Sequence, residues 1–368
     1  MLWAGALRVT GILYLAKRWV RRRGMIVLTF HRVLEDDGLR QTASLAGMIV
    51  RRSTFADFLK YAAATCEFAD LVQEPNWTPG SRLKLSLTFD DGWSDNASVA
   101  FPLASASQAP MLIFIVPERM GSALPFWPER AAALLEHTFR TVGRSLEASY
   151  IEQTIESLKG LPASERDQRL EQLAAEHSVP ESAPDVDRTM TWEQARQLAQ
   201  LGVRFGSHTS THEILTAVPL DQAEQEICGS RGRIEHELDK ACELFSYPNG
   251  DCSSEVRKLV ENAEYKLAFL NQAPGVWTRD CDPYQIPRVN VCEFHLVNAS
   301  GNFSPLMFDY AVVWNAAKGL MRESWRKRFS KIRRKWNNWF GGLSRPKKPT
   351  AKDTKEQQGL SSNQSRSI

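Results

Sequence analysis

Apolar residues recur along this chain in two rhythms: short solid runs, and longer stretches spaced at three and four. From Met25 the run MIVLTFHRV stays apolar and rich in β-branched residues until His31 and Arg32 interrupt it, which predicts a buried strand. Phe55, Phe58, Leu59 and Ala62 follow at helical spacing, with Ser53 or Thr54 placed to cap the first turn. LKLSLTFDDG, Leu83 to Gly92, predicts a strand opening onto a polar loop, and MLIFIV at 111–116 predicts a buried strand after the turn at Gln108–Pro110.

From about 125 to 190 the pattern turns helical and polar, with one helix inside 131–139 and another running from Ser149 to Leu173. This predicts a helical insertion over one face of the domain. Beyond it, helices are expected at 191–200, 220–238 and 253–262. Strands are expected at 203–206, leading into SHTSTH, at 244–247, ending in PNG, at 265–270 and at 285–291. Strands alternating with helices predict an α/β barrel or a doubly wound sheet.

Composition changes this picture mainly at the ends. The chain has 368 residues, 43% of them hydrophobic and 24% charged, which is ordinary for a folded globular protein and excludes a mostly disordered one. Its formal charge of +3 is unevenly spread: 1–24 and 322–368 together carry +17, leaving 25–321 at −14. Leu2 to Val20 is apolar, but Arg8 interrupts it and Lys17, Arg18, Arg21, Arg22 and Arg23 follow without a small-residue cleavage site. The run is also shorter than the roughly 20 residues of a spanning helix. Residues 1–24 therefore read as a basic amphipathic segment for an anionic membrane surface. Residues 311–343 read as a basic aromatic helix containing Trp314, Trp325 and Trp339, and 344–368 as a disordered tail. The expected location is cytoplasmic or peripheral to the inner membrane. Nucleic-acid binding is not expected, because no recognised motif accompanies the basic ends and the body is acidic. Six scattered cysteines without a CxxC pair read as packed thiols.

The chemistry concentrates in two short motifs. Asp90 and Asp91 end an apolar strand, where two carboxylates need compensation; a cation beside them would leave one as ligand and the other as an ionised base. His208 and His212 sit four apart, a spacing that one helical turn would bring together. Two imidazoles and one carboxylate leave coordination positions open, as catalytic zinc sites do. Taken singly, a DDG turn and an HxxxH pair are weak signals; their conjunction is the stronger one.

LTFDDGWSDN and GSHTSTH resemble the first two motifs of the NodB-homology polysaccharide deacetylases, carbohydrate esterase family 4, and TWEQARQLAQLGVRFGSHT resembles the helix and strand leading into the second. The likeness spans most of 25–291. It implies a distorted (β/α)7 barrel of the NodB-homology type, here with a helical insertion and basic terminal helices, the deacetylase domain running over 25–310. By the same likeness Asp90 is the catalytic base, and Asp91, His208 and His212 hold a divalent metal, zinc by preference. FSYPNGD is similar to the third motif, which shapes a groove wall around the metal; Tyr247, Pro248 and Trp93 are the candidate substrate-binding residues, with Trp93, Trp127 and Tyr247 either sugar-stacking faces or, as aromatic residues more often are, core, and with a backbone amide near Tyr247 facing the oxyanion. Ser246 stands where the family keeps an arginine, and Arg288 in QIPRVNV either replaces it as a brace for Asp90 or is a surface ion pair. TFHRV resembles the acid-histidine motif of the poly-N-acetylglucosamine-type deacetylases, making His31 the expected acid and His295 in CEFHL the alternative. The implied reaction removes N-acetyl groups from N-acetylhexosamine units of a polysaccharide or a glycolipid precursor. A non-haem Fe(II) oxygenase, which uses two histidines and a carboxylate, and a non-catalytic carbohydrate-binding protein of the same fold remain competing readings.

Overall fold

Seven parallel strand positions follow one another around a curled sheet, and the strand-end loops on one side of it gather the polar residues described above. The computed structural model describes residues 2–73, 78–122, 124–141, 147–177, 185–271 and 275–322. The strands are β1 (Gly24–Phe30), β2 (Arg32–Leu34), β3 (Ile49–Arg51), β4 (Cys66–Phe68), β5 (Leu83–Phe89) and β6 (Met111–Ile115), followed by β7 (Arg204–Ser207), β8 (Leu244–Ser246), β9 (Leu267–Phe269), β10 (Val276–Thr278) and β11 (Val289–Asn290). In the main sheet β1, β5, β6, β7, β8 and β9 are neighbours in that order, all parallel. Closure comes from 286–290: Ile286 bonds to β9 through Ala268 and Leu270, while β11 pairs with β1 at Leu28 and Thr29. A sheet bonded to itself in this way is a barrel, not a doubly wound sheet. β4 lies parallel on β5, β10 runs antiparallel on β1, and β2 pairs with β3 in a separate small sheet.

Every residue of β1, β5 and β6 is buried, as expected of parallel strands covered on both faces. Period-2 alternation sorts them. Met25 and Val27 join Leu112, Phe114, Leu244, Phe269 and Ile286 in the barrel interior. Phe30 points outward onto Phe55 and Phe58 with Phe89 stacked beside it. On β5 the same alternation puts Ser86, Thr88 and the following Asp90 on one face, so Asp90 is delivered to the C-terminal mouth of the barrel by register alone.

The helices are α1 (Leu2–Val9), α2 (Ile12–Arg23), α3 (Arg52–Thr65), α4 (Phe101–Ala106), α5 (Trp127–Thr141), α6 (Ala148–Lys159), α7 (Ala163–His177), α8 (Trp192–Gln200), α9 (Leu220–Leu238) and α10 (Ser254–Asn262), apart from short turns. Two expectations need correction. The single helix expected over 149–173 is two, because Pro162 lacks the N–H that would carry α6 onward. The N-terminal apolar run is also two helices, broken at Gly11, whose φ of 74° is a conformation glycine adopts without penalty. Leu13, Ala16 and Val20 form the buried face of α2, and Lys17 pairs with Asp309 at 3.4 Å, so this helix packs on the body. No described helix is long and apolar enough to cross a membrane. All six cysteines are free. The expected basic aromatic segment beyond 322 and the tail at 344–368 lie outside the described residues.

Candidate active site

Asp90 and Asp91 leave the end of β5 in different directions. Asp90 keeps the strand's direction, its N–H donating to the Phe30 carbonyl at 3.0 Å. Asp91 then adopts a left-handed φ of 73°, as does Gly92. At Gly92 a side chain is excluded twice over, since a Cβ would lie 2.9 Å from Ile115 Cγ2. The turn gives the two carboxylates different main partners, although His208 Nε2 also lies 3.9 Å from Asp90 Oδ2.

Arg288 grips Asp90 as a fork: Nη1 donates to Oδ1 at 2.8 Å and Nη2 to Oδ2 at 2.6 Å. The same guanidinium donates to Thr88 Oγ1, to Ser246 Oγ at 2.7 Å and, through Nε, to the Leu270 carbonyl. Arg288 is wholly buried, so the surface ion-pair alternative falls. Ser246 is the small hydroxyl that makes room for an arginine arriving from another strand. Burial by itself would raise the Asp90 pKa; Arg288, helped by His208 and His31, more than offsets it and holds the carboxyl well below the usual range.

Asp91 faces the imidazoles instead. Its Oδ1 lies 3.7 Å from His208 Nε2 and 3.4 Å from His212 Nε2. One donor atom from each of the three residues lies within 4.8 Å of the others, which fits a single divalent ion. The donor chemistry fits as well. His208 Nδ1 donates to the Ser246 carbonyl at 2.8 Å, which leaves Nε2 with its lone pair toward Asp91. Burial lowers both imidazole pKa values to about 4, keeping the rings neutral as metal ligands must be. The helical turn expected for HxxxH is absent. His208 to His212 is a loop in which Thr209 and His212 both have positive φ and the Thr209 hydroxyl accepts the His212 N–H. Asp91 and His212 thus both occupy backbone conformations that cost about 1–3 kcal/mol in an ordinary residue, a reserve typical of functional sites.

His31 sits where β1 gives way to β2. Its carbonyl accepts from Asn96 Nδ2 at 2.8 Å, and its Nδ1 is buried without a partner among the described residues. His295 is placed otherwise: its Nδ1 accepts from the Cys292 N–H and lies 3.2 Å from Cys292 Sγ, closing its own turn.

The aromatic residues expected at the substrate are not free to meet it. Trp93 is 0% exposed, with Arg32 on its face and Phe126 at its edge. Trp127 lies in the core of the insertion under Arg166. Tyr247 is buried, its hydroxyl donating to the Tyr284 carbonyl and its own N–H to the Phe269 carbonyl. Pro248 is buried as well, at the start of the PNG turn in the loop wall.

Sequence reasoning passed over Arg32, Asp95, Asp187 and Glu129. Arg32 is fully buried and pairs with Asp95 and Asp187, each at 2.7 Å, while Glu129 accepts from Ser44 beside them. The only signals were the polar residue after His31 and the SDN that follows DDGW.

A family profile for polysaccharide deacetylases matches residues 79–268, more than half of the chain. YxkH of Bacillus subtilis (strain 168), named for the same family, is 29% identical over 102 residues, covering 28% of this chain and 36% of that protein. Among solved structures, a polysaccharide deacetylase from Bacillus cereus superposes with a TM-score of 0.52 at 14% identity, over 79% of this chain and 69% of that one. IcaB from Ammonifex degensii superposes with a TM-score of 0.50 at 16% identity, over 80% of this chain and 97% of that one. At such identities the two structures speak for the fold, a NodB-type barrel, and the profile speaks for descent: this chain belongs to the polysaccharide deacetylase family.

Proposed function

We propose that the chain is a metal-dependent N-deacetylase acting on N-acetylhexosamine units of a polysaccharide or a glycolipid precursor. The observation that carries this reading is the division of labour at the barrel mouth, with Asp91 Oδ1 facing two neutral imidazoles while both oxygens of Asp90 are gripped by Arg288. Asp91, His208 and His212 would hold the ion, zinc by the match of imidazole and carboxylate donors. When bound it supplies Lewis-acid polarisation of the acetamide carbonyl and of a water.

The chain's own groups do the rest. Asp90 stays ionised at neutral pH and takes the proton of the attacking water, its orientation fixed by the Arg288 fork. His31 gives a proton to the departing sugar nitrogen, a task supported by its place one residue after Phe30, whose carbonyl holds the Asp90 N–H. A non-haem oxygenase leaves the braced Asp90 without a task, which favours hydrolysis. The test is acetate release from N-acetylglucosamine oligomers: chelation is expected to abolish it and zinc to restore it. Release that is indifferent to a chelator and unchanged in Asp90→Ala would overturn the reading.

The same reading includes contact with an anionic bilayer. The outward face of α2 carries Tyr14 and Leu15, 68% and 60% exposed, beside exposed Arg18 and Arg22, with Trp19 under Arg23. Apolar rings among arginines suit headgroups, each basic residue contributing about 1 kcal/mol near such a surface. Sedimentation with phosphatidylserine vesicles is expected to drop in Arg18→Glu/Arg22→Glu, and equal binding to neutral vesicles would reject this contact.

A further inference from the structure

Asp91 has two oxygens, and only one of them faces the imidazoles. The other, Oδ2, accepts the indole N–H of Trp93 at 3.0 Å. We propose that Trp93 is a positioning residue that reserves Oδ2 and so makes Asp91 a one-oxygen ligand, with Arg32 holding the indole in place. This rests on the metal-site reading above and adds the group that sets how Asp91 uses it.

The indole has little room to move. The Arg32 guanidinium lies 4.1 Å from its ring centroid, and Phe126 meets it edge-on at 5.1 Å and also packs 5.2 Å from the His212 ring. Arg32 is itself fixed by two buried carboxylates, Asp95 at Nε and Asp187 at Nη1, and by Ser44 and the Val186 carbonyl. Asp187 belongs to the segment that ends the helical insertion, and this segment is stitched to the DDGW loop. Ser94 N–H donates to the Arg188 carbonyl, Met190 N–H to the Gly92 carbonyl, and Trp93 bridges to Thr189. The return of the insertion to the barrel thus fixes Arg32, Arg32 fixes the plane of Trp93, and Trp93 fixes Asp91.

The chemical consequence concerns coordination. A carboxylate with both oxygens free can chelate a small cation and occupy a position that a hydrolase needs for water or substrate. An N–H on Oδ2 opposes that chelation and orients the remaining oxygen, as hydrogen bonds behind metal ligands do elsewhere. A cation over the indole face also polarises the N–H toward stronger donation.

The bland role for a buried tryptophan is packing, and the test separates the two. Cobalt(II) is titrated into the metal-free full-length protein, and affinity and visible spectrum are read for wild type, for Trp93→Phe, and for a protein with 3-benzothienylalanine at position 93. The last keeps the ring's size and replaces N–H by sulfur, so it remains informative where phenylalanine perturbs folding. The wild type is expected to give the intense bands of a four- or five-coordinate ion. Loss of the N–H is expected to weaken binding about 10–100-fold and to shift the spectrum toward the pale six-coordinate form. If the N–H-less proteins bind with wild-type affinity and spectrum, the positioning role is wrong while the metal site stands. If the wild type binds no cobalt or zinc, the metal-site reading itself fails.

Discussion

Asp90 and Asp91 are adjacent in sequence and both nearly buried, yet their surroundings are opposite in kind. Around Asp90 the barrel supplies a full positive charge, in a fork that satisfies both oxygens and returns to Thr88, Ser246 and Leu270. Around Asp91 the described residues supply neutral groups: one indole N–H and two imidazoles kept uncharged by burial. A buried carboxylate without a charged partner is costly, so the Asp91 side is the one left wanting a cation. The lesson is that the sequence DD does not assign the roles of base and ligand. The assignment comes from which oxygen meets a guanidinium.

The most severe break of this comparison is to remove each acid in turn. Asp91→Ala should abolish zinc binding and, with it, several kcal/mol of transition-state stabilisation, on the order of 10³-fold in rate. Asp90→Asn should lower the rate about 10²–10⁴-fold while zinc affinity stays near wild type. Isothermal titration with zinc beside acetate-release assays reads both. Equal loss of zinc in the two variants would erase the distinction between them.

Arg288→Gln tests the charged side by itself. It leaves Asp90 buried without its counter-charge, and breaking such a pair costs about 3–5 kcal/mol, read as a lowered midpoint in urea unfolding. Arg288→Lys keeps the charge but cannot form the fork, so it should recover part of the stability and less of the rate. A stability in Arg288→Gln equal to wild type would mean that the fork is not holding an ionised Asp90.

How much of this was legible in the sequence follows from how far apart the partners lie. The barrel strands and the four residues of TFDDG and SHTSTH are local patterns, so periodicity and spacing exposed them. The left-handed turns at Asp91 and His212 were not legible, since four-residue spacing read as a helical turn when the backbone in fact loops. Arg288 stood out only through resemblance, because its partner is 198 positions away. Arg32 and Asp187 are 155 apart, and nothing local marks either as one half of a buried pair. Trp93 was misassigned for a related reason. An aromatic residue beside a catalytic motif looks the same in sequence whether it faces solvent or is sealed between Arg32 and Phe126.

The smallest effect probes how far the uncompensated charge of Asp91 reaches. Glu129, buried on α5 in the helical insertion, has its pKa raised to about 8, first by burial and next by Asp91. Between its ordinary 4.5 and about 8, the unfolded chain has lost a proton that the folded chain retains. At this group the folded state then binds more protons, so the Glu129 contribution to stability falls as pH rises through that window, by at most about 1.4 kcal/mol per pH unit, while His208 and His212, lowered from 6.5 to about 4, contribute the opposite slope below 6.5. Glu129→Gln should flatten the fall in urea unfolding between pH 7 and 8, above the imidazole range. A cation beside Asp91 would offset the second cause, so the wild-type slope should be shallower in saturating zinc than in chelator, whereas Glu129→Gln should show no such difference. If zinc leaves the wild-type slope unchanged, the charge of Asp91 does not reach Glu129, and the contrast between the two acids ends at the barrel mouth.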